Sequence, residues 1–257
     1  MNTSNDAAIV FDRVSLAYGG RPIISDLSLD VGRGEIVCII GPSGCGKTTA
    51  LRMAGGLVRP LDGTVRVLGE PLTEPRRDVA IVFQDYGKAL LPWRTAAANV
   101  SLALEAAGTP RSERPERIRT LLAKVGLASH EDKYPTEMSG GMQQRIQIAR
   151  CLAQDPAVLL MDEPFGALDA MTRQGLQDEM LSIVAETGAT VFFVTHDLEE
   201  AVYLGDRVIG LLPNPGRIGI DLKVDLPRPR DQLETREMPE FLRLRRTLFD
   251  FIEKAEA

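Results

Sequence analysis

Five short apolar runs punctuate the chain: IVCII at 36–40, VAIVF at 79–83, AVLLM at 157–161, TVFFV at 190–194 and RVIGLL at 207–212. None alternates with polar residues, so each reads as a strand buried on both faces of a helix-covered sheet. Between some of them apolar residues recur at helical spacing, as in Ile118, Leu121, Leu122 and Val125, and again in Leu176, Met180, Ile183 and Val184. The alternation predicts an α/β domain with a largely parallel sheet. From 90 to 155 the pattern is helical without a convincing strand, which predicts a helical subdomain inserted into a core made of 1–89 and 156–257. Shorter strand-like pieces with Gly-rich turns at 9–37 and 63–69 predict an antiparallel β edge subdomain. Late in the chain Ile218, Ile220, Leu222, Val224 and Leu226 alternate with mostly charged residues, the pattern of a half-exposed strand. Pro239 then opens an amphipathic helix through Phe241, Leu244, Leu248 and Phe251. No internal repeat or low-complexity tract is present.

Composition narrows this picture modestly. A chain of 257 residues, 44% hydrophobic and 26% charged, fits a single domain with an insertion and an ordinary globular core. Its formal charge of −6, from 30 basic and 36 acidic residues, argues against nucleic acid as a partner. Three scattered cysteines, Cys38, Cys45 and Cys151, give neither a disulfide framework nor a zinc pattern and suit a reducing compartment. The N-terminus MNTSNDAAIVFDRV lacks the layout of a signal peptide. No apolar run approaches the roughly 18 residues of a membrane span, so any work at a membrane is expected to go through a partner.

Chemistry enters with GPSGCGKT at 41–48, which directly follows the run IVCII and precedes a helix-compatible stretch. In that strand–loop–helix context the pattern is a phosphate-binding loop. Gly41, Gly44 and Gly46 let backbone N–H groups converge on phosphate oxygens, and Pro42, Ser43 and Cys45 complete the loop. The following helix adds the positive end of its dipole. Lys47 is placed to reach the β- and γ-phosphates and Thr48 to ligate magnesium, with Thr49 next in the helix. Cys45, beside Lys47 and a helix N-terminus, is expected to favour the thiolate.

A second cluster is AVLLMDEP at 157–164, which sets Asp162 and Glu163 at the end of a buried strand. That strand edge is where α/β folds bind ligands. Asp162 suits magnesium and Glu163 suits polarising an attacking water. The run VTHDLEEA at 194–201 ends another strand with His196, one of only two histidines. A lone histidine is usually structural, but the shared strand edge favours a γ-phosphate contact. Together these motifs read as a P-loop NTPase. In MSGGMQQR at 138–145, Ser139, Gly140 and Gly141 open an amphipathic helix with Ile146, Ala149 and Leu152 on its apolar side. Read alone this is either a plain N-capped helix or a second anion cradle.

With these motifs in this order, nearly the whole chain resembles the ATP-binding subunit of ABC transporters. The resemblance implies a RecA-like P-loop NTPase core. It makes 41–48 the Walker A loop, Gln84 the Q-loop residue, SGGMQQR the signature, Asp162 and Glu163 the Walker B pair, Asp169 in GALD the D-loop residue and His196 the switch histidine. Tyr18 in LAYGG falls where the family's adenine-stacking aromatic occurs. Met142 stands where the signature usually has glutamine, while Ser139 and the glycines are kept. LLPW after Gln84 and the LPRPRD tail are similar to the nitrate, sulfonate and taurine importers.

The resemblance implies ATP and Mg2+, with Gln84 among the magnesium contacts. It implies a homodimer in which each Walker A loop faces the other copy's Ser139 and Gly141. It also implies integral-membrane permease subunits, an indirect solute-binding protein and a place on the cytoplasmic face of a bacterial inner membrane. Leu90, Leu91, Pro92 and Trp93 are expected to line a groove for a helix of the membrane subunit, or else to pack inside the helical insertion. The other function classes are a soluble ABC-type ATPase uncoupled from transport, a nucleotide-binding regulatory subunit and a P-loop kinase. The first lacks here its coiled-coil, zinc or tandem additions, the second would lack Glu163 or His196, and the third leaves the Ser-Gly-Gly signature unexplained.

Overall fold

Each of the five apolar runs forms a strand in the computed structural model, which describes residues 7–84, 89–166 and 168–256. Residues 85–88, which precede LLPW, Ala167 of GALD and the first six residues of the N-terminal reading lie outside the described residues. In chain order the elements are β1 (Ala7–Tyr18), β2 (Arg21–Gly32), β3 (Ile36–Ile40), α1 (Lys47–Ala54), β4 (Asp62–Val67), β5 (Glu70–Pro71) and β6 (Val79–Val82). There follow α2 (Ala96–Ala106), α3 (Arg114–Lys124), α4 (Gly140–Leu152), β7 (Val158–Asp162), α5 (Ala170–Thr187) and β8 (Thr190–Val194). The chain continues through α6 (Leu198–Leu204), β9 (Arg207–Leu212), β10 (Arg217–Lys223), α7 (Glu234–Glu237) and α8 (Pro239–Glu256). The chain divides into two compact units, residues 1–76 with 188–257 and residues 77–187.

In the first unit β8, β3 and β9 run parallel, and β10 closes that edge antiparallel to β9. Every side chain of β3 and β8 is buried, as uninterrupted apolar runs require of strands covered on both faces. β10 carries the expected alternation of burial but ends at Lys223. Val224 and Leu226 continue the inward pattern as buried residues beyond the strand. A second, antiparallel sheet in the order β2-β1-β4-β5 forms the expected edge sheet. Its β1–β2 hairpin turns through Gly19 and Gly20, at φ of 55° and 81°, values that L side chains resist. α8 buries Phe241, Leu244 and Leu248 against α6 and β9.

In the second unit β6 and β7 pair in parallel, and α4 packs against β6, α2 and α3. From Leu90 to Asp155 the described residues form helices and turns and no strand. Thr95 caps α2 by accepting from the Ala98 N–H at 3.2 Å. Asn99, wholly buried, accepts from the Leu91 N–H at 3.0 Å and donates to the carbonyls of Leu91, Arg94 and Thr95. One side-chain amide therefore bonds both backbone groups of Leu91 and the carbonyls of the two residues that follow LLPW.

Candidate active site

The phosphate loop leaves the C-terminal end of β3 and enters α1 at Gly46, the helix N-cap, which sits at φ 99°. A Cβ on Gly46 would come within 2.8 Å of the Ile24 side chain, so the loop needs glycine there for both conformation and space. Gly41 is constrained likewise: a Cβ would meet the Leu211 carbonyl oxygen at 2.6 Å and the Cys45 sulfur at 2.7 Å. Gly44 takes φ 79° with nothing within 4 Å of an added Cβ, so its need is conformational alone. The Lys47 ammonium donates to the carbonyls of Gly41 at 2.7 Å and Pro42 at 3.0 Å, which curls the loop around a buried cation. No side chain caps α1, so the positive end of its dipole is left to the loop. A glycine cradle around a lysine at a helix N-terminus fits a polyphosphate.

β3 and β8 are parallel neighbours with Ile39 beside Val194, so the phosphate loop and His196 leave the same edge of the sheet. His196 is exposed, and its flanks are fixed. The Thr195 hydroxyl donates to the buried Glu200 carboxylate at 2.5 Å and accepts from the Asp197 N–H at 3.0 Å. Asp197 caps α6 by accepting from the N–H groups of Glu199 and Glu200 at 2.9 and 3.1 Å. Tyr18 stands half exposed at the end of β1.

The second unit holds the other predicted residues. β6 and β7 pair with Val82 beside Met161, so Gln84 and the Asp162–Glu163 pair also leave a common edge. The Gln84 amide donates to Glu163 Oε2 at 3.2 Å. Asp162 is buried at 7% exposure, and Glu163 adopts φ 45°, a left-handed conformation that non-glycine residues take at a cost. Among the described residues no cluster of three or more His, Cys, Asp or Glu could form a metal cage. Thr48 in the first unit, and Gln84 and Asp162 in the second, each carry the hard oxygen donor that magnesium accepts.

Ser139 is the N-cap of α4 and accepts from the Met142 N–H at 3.4 Å. That cap uses the backbone of Met142, so replacing the usual glutamine leaves it intact. Gly141 is buried, and a Cβ there would strike the Thr172 methyl at 2.7 Å, so the start of α4 needs glycine there for space. Asp169 accepts from the Thr172 N–H at 3.1 Å at the start of α5, and its hydrogen bonds from Thr172 hold its carboxyl below the ordinary range.

Residues 24–166 match the family described as ABC transporter. The chain belongs to the ABC transporter family. A taurine import ATP-binding protein of Chromobacterium violaceum is 45% identical over 248 residues, covering 94% of this chain and 94% of that protein. A nitrate import ATP-binding protein of Synechococcus elongatus is 46% identical over 249 residues, covering 95% of this chain but 37% of that longer protein. A dimeric ATP-binding cassette solved in a post-hydrolysis state with ADP and Pi superposes with a TM-score of 0.73 at 31% identity, covering 84% of this chain and 98% of that one. The fold is thus that of an ABC-type P-loop ATPase, and hydrolysis of ATP is the family's reaction.

One expectation needs correction. Cys45 is wholly buried, and burial raises its pKa more than the neighbouring Lys47 lowers it. The loop turns the thiol inward against Gly41, so it is held as a thiol and shielded from reagents. The LLPW residues divide between the two expectations, because Leu90 is 2% exposed and packs inside while Trp93 stands 70% exposed. A cleft of about 600 Å³ does lie beside Gln84, formed by Ile81, Phe83, Ala89, Leu102, Ala106 and Arg150 among others. The sequence reading missed Asn99 and Gln147, two polar residues on buried helix faces. Asn99 alone carried a signal, as a lone amide between Ala98 and Val100.

Proposed function

We propose that this chain is the ATP-hydrolysing subunit of a bacterial ABC importer, working as a homodimer beneath separate permease subunits at the cytoplasmic face of the inner membrane. The observation that carries the hydrolytic part is the Gln84–Glu163 hydrogen bond, which holds a carboxylate at a strand edge next to buried Asp162. The substrate ATP is bound by the loop N–H groups and by Lys47, with Tyr18 against the adenine. Glu163 orients the attacking water and accepts its proton, and His196 donates to the γ-phosphate. Thr48, Gln84 and Asp162 would hold magnesium, which would supply positive charge beside the phosphates. Ser139 and Gly141 of one copy close over the nucleotide held by the other, and Asp169 braces that contact. Positioning and charge stabilisation provide most of the rate, as in phosphoryl transfer generally.

The similarity to taurine and nitrate import proteins supports a small solute of that kind, delivered to the permease by a solute-binding protein. The cleft beside Gln84 is where a short cytoplasmic helix of the permease docks: apart from its α4 face its walls are apolar, and exposed Phe83 immediately precedes Gln84. The test is ATP hydrolysis by the purified chain. Hydrolysis per chain should rise with protein concentration, and Lys47→Ala should lose about a hundredfold or more. Full turnover in Lys47→Ala would contradict the reading, and concentration-independent turnover would remove the dimer from it.

A further inference from the structure

The face of α4 that floors the cleft beside Gln84 is polar where packing alone would call for apolar residues. Gln147 is 3% exposed, and with its carboxamide oriented by its partners it accepts from the Phe83 N–H at 2.8 Å and donates to the Phe83 carbonyl at 3.3 Å. It therefore bonds both backbone groups of Phe83, the residue that follows the end of β6. One turn along, Arg150 donates to the carbonyl of Ala89. Cys151, whose thiol burial pushes up to about 12, donates to the Ile81 carbonyl at 3.4 Å. Positions 147, 150 and 151 share one helix face, so a single face of α4 grips the chain at 81, 83 and 89, on both sides of Gln84.

We infer that Gln147 and Arg150 are positioning residues for hydrolysis, fixing the backbone on either side of Gln84 so that its amide stays on Glu163. The inference rests on the reading of Gln84 and Glu163 as hydrolytic residues. Two features favour positioning over simple packing. A buried amide and a desolvated guanidinium both cost stability unless paired, and here the pairing is spent on the backbone around one side chain. Burial also lowers the Arg150 pKa, yet its side chain reaches Ala89 rather than solvent. In addition, α4 begins at Ser139, so the helix that closes on a second copy's nucleotide is the one that sets Gln84.

The test compares the full chain with Gln147→Met, which keeps length and apolar volume but deletes both bonds to Phe83, and with Gln147→Glu, which keeps only the acceptor. Arg150→Met and Arg150→Lys form a second pair, in which lysine can still donate to Ala89. Assays are run at a temperature where melting curves show each variant folded. Gln147→Met should lose about tenfold in kcat with the ATP KM changed less than about twofold, because the phosphate loop is untouched. Gln147→Glu should fall between it and the wild type, and Arg150→Lys should retain more turnover than Arg150→Met. A lowered melting temperature with wild-type kcat in Gln147→Met would overturn the inference. Glu163→Gln, assayed alongside, separates the two ideas: turnover there would sink the hydrolytic reading itself, whereas its loss beside an unaffected Gln147→Met would sink only the positioning role.

Discussion

Cys45 shows how a residue's neighbours in sequence can mislead about its chemistry. Beside Lys47 and a helix N-terminus it reads as a reactive thiolate, and both influences do act. Desolvation outweighs them, because the loop folds the sulfur inward to the space that Gly41 leaves. The direction of a side chain within a six-residue loop is set by φ values that no hydrophobic pattern encodes. The glycines themselves were legible, since each is needed for conformation or for space. The expected outcome is that a maleimide at pH 8 leaves the native chain unlabelled at Cys45 and labels three thiols once it is unfolded. The sign of the pH effect follows from the raised pKa. Above the ordinary thiol value of 9.0 the unfolded chain ionises first, so stability is lost as pH rises toward the folded value. Rapid native labelling that Cys45→Ser abolishes would contradict this account.

Among the elements, the buried strands were legible because an uninterrupted apolar run has few other stable fates. The ends were less so. The alternation through Leu226 outlasts β10, since Val224 and Leu226 are drawn inward after the ladder has stopped. LLPW was harder still, for its residues divide: Leu90 is core, Leu91 is bonded through its backbone to Asn99, and Trp93 projects. An amide eight residues downstream makes that division, so no local pattern announces it. Leu90→Ala should therefore cost the lone chain about 2–5 kcal/mol, while Trp93→Ala should leave its melting temperature nearly unchanged. Thermal unfolding of both variants checks the ranking, and a reversed order would show that the turn is packed otherwise.

For the molecule as a whole, the chemistry of the motifs was enough to read a P-loop NTPase, and the resemblance carried by their order extended that reading to an ABC-type ATPase. The sequence did not show how those chemistries are held in place. The Gln84–Glu163 bond and the Gln147–Phe83 pairing beneath it join residues 79 and 64 positions apart, and such pairings emerge only once β6 and β7 are side by side. Glu163 should therefore drive hydrolysis within a closed pair of chains. The most direct measurement is size-exclusion chromatography with light scattering on Glu163→Gln in ATP and magnesium, with phosphate release followed on the same sample. The variant should bind ATP, run as a dimer and release no phosphate at steady state. A variant that turns over ATP like the wild type, or that binds ATP and remains a monomer, would contradict this expectation.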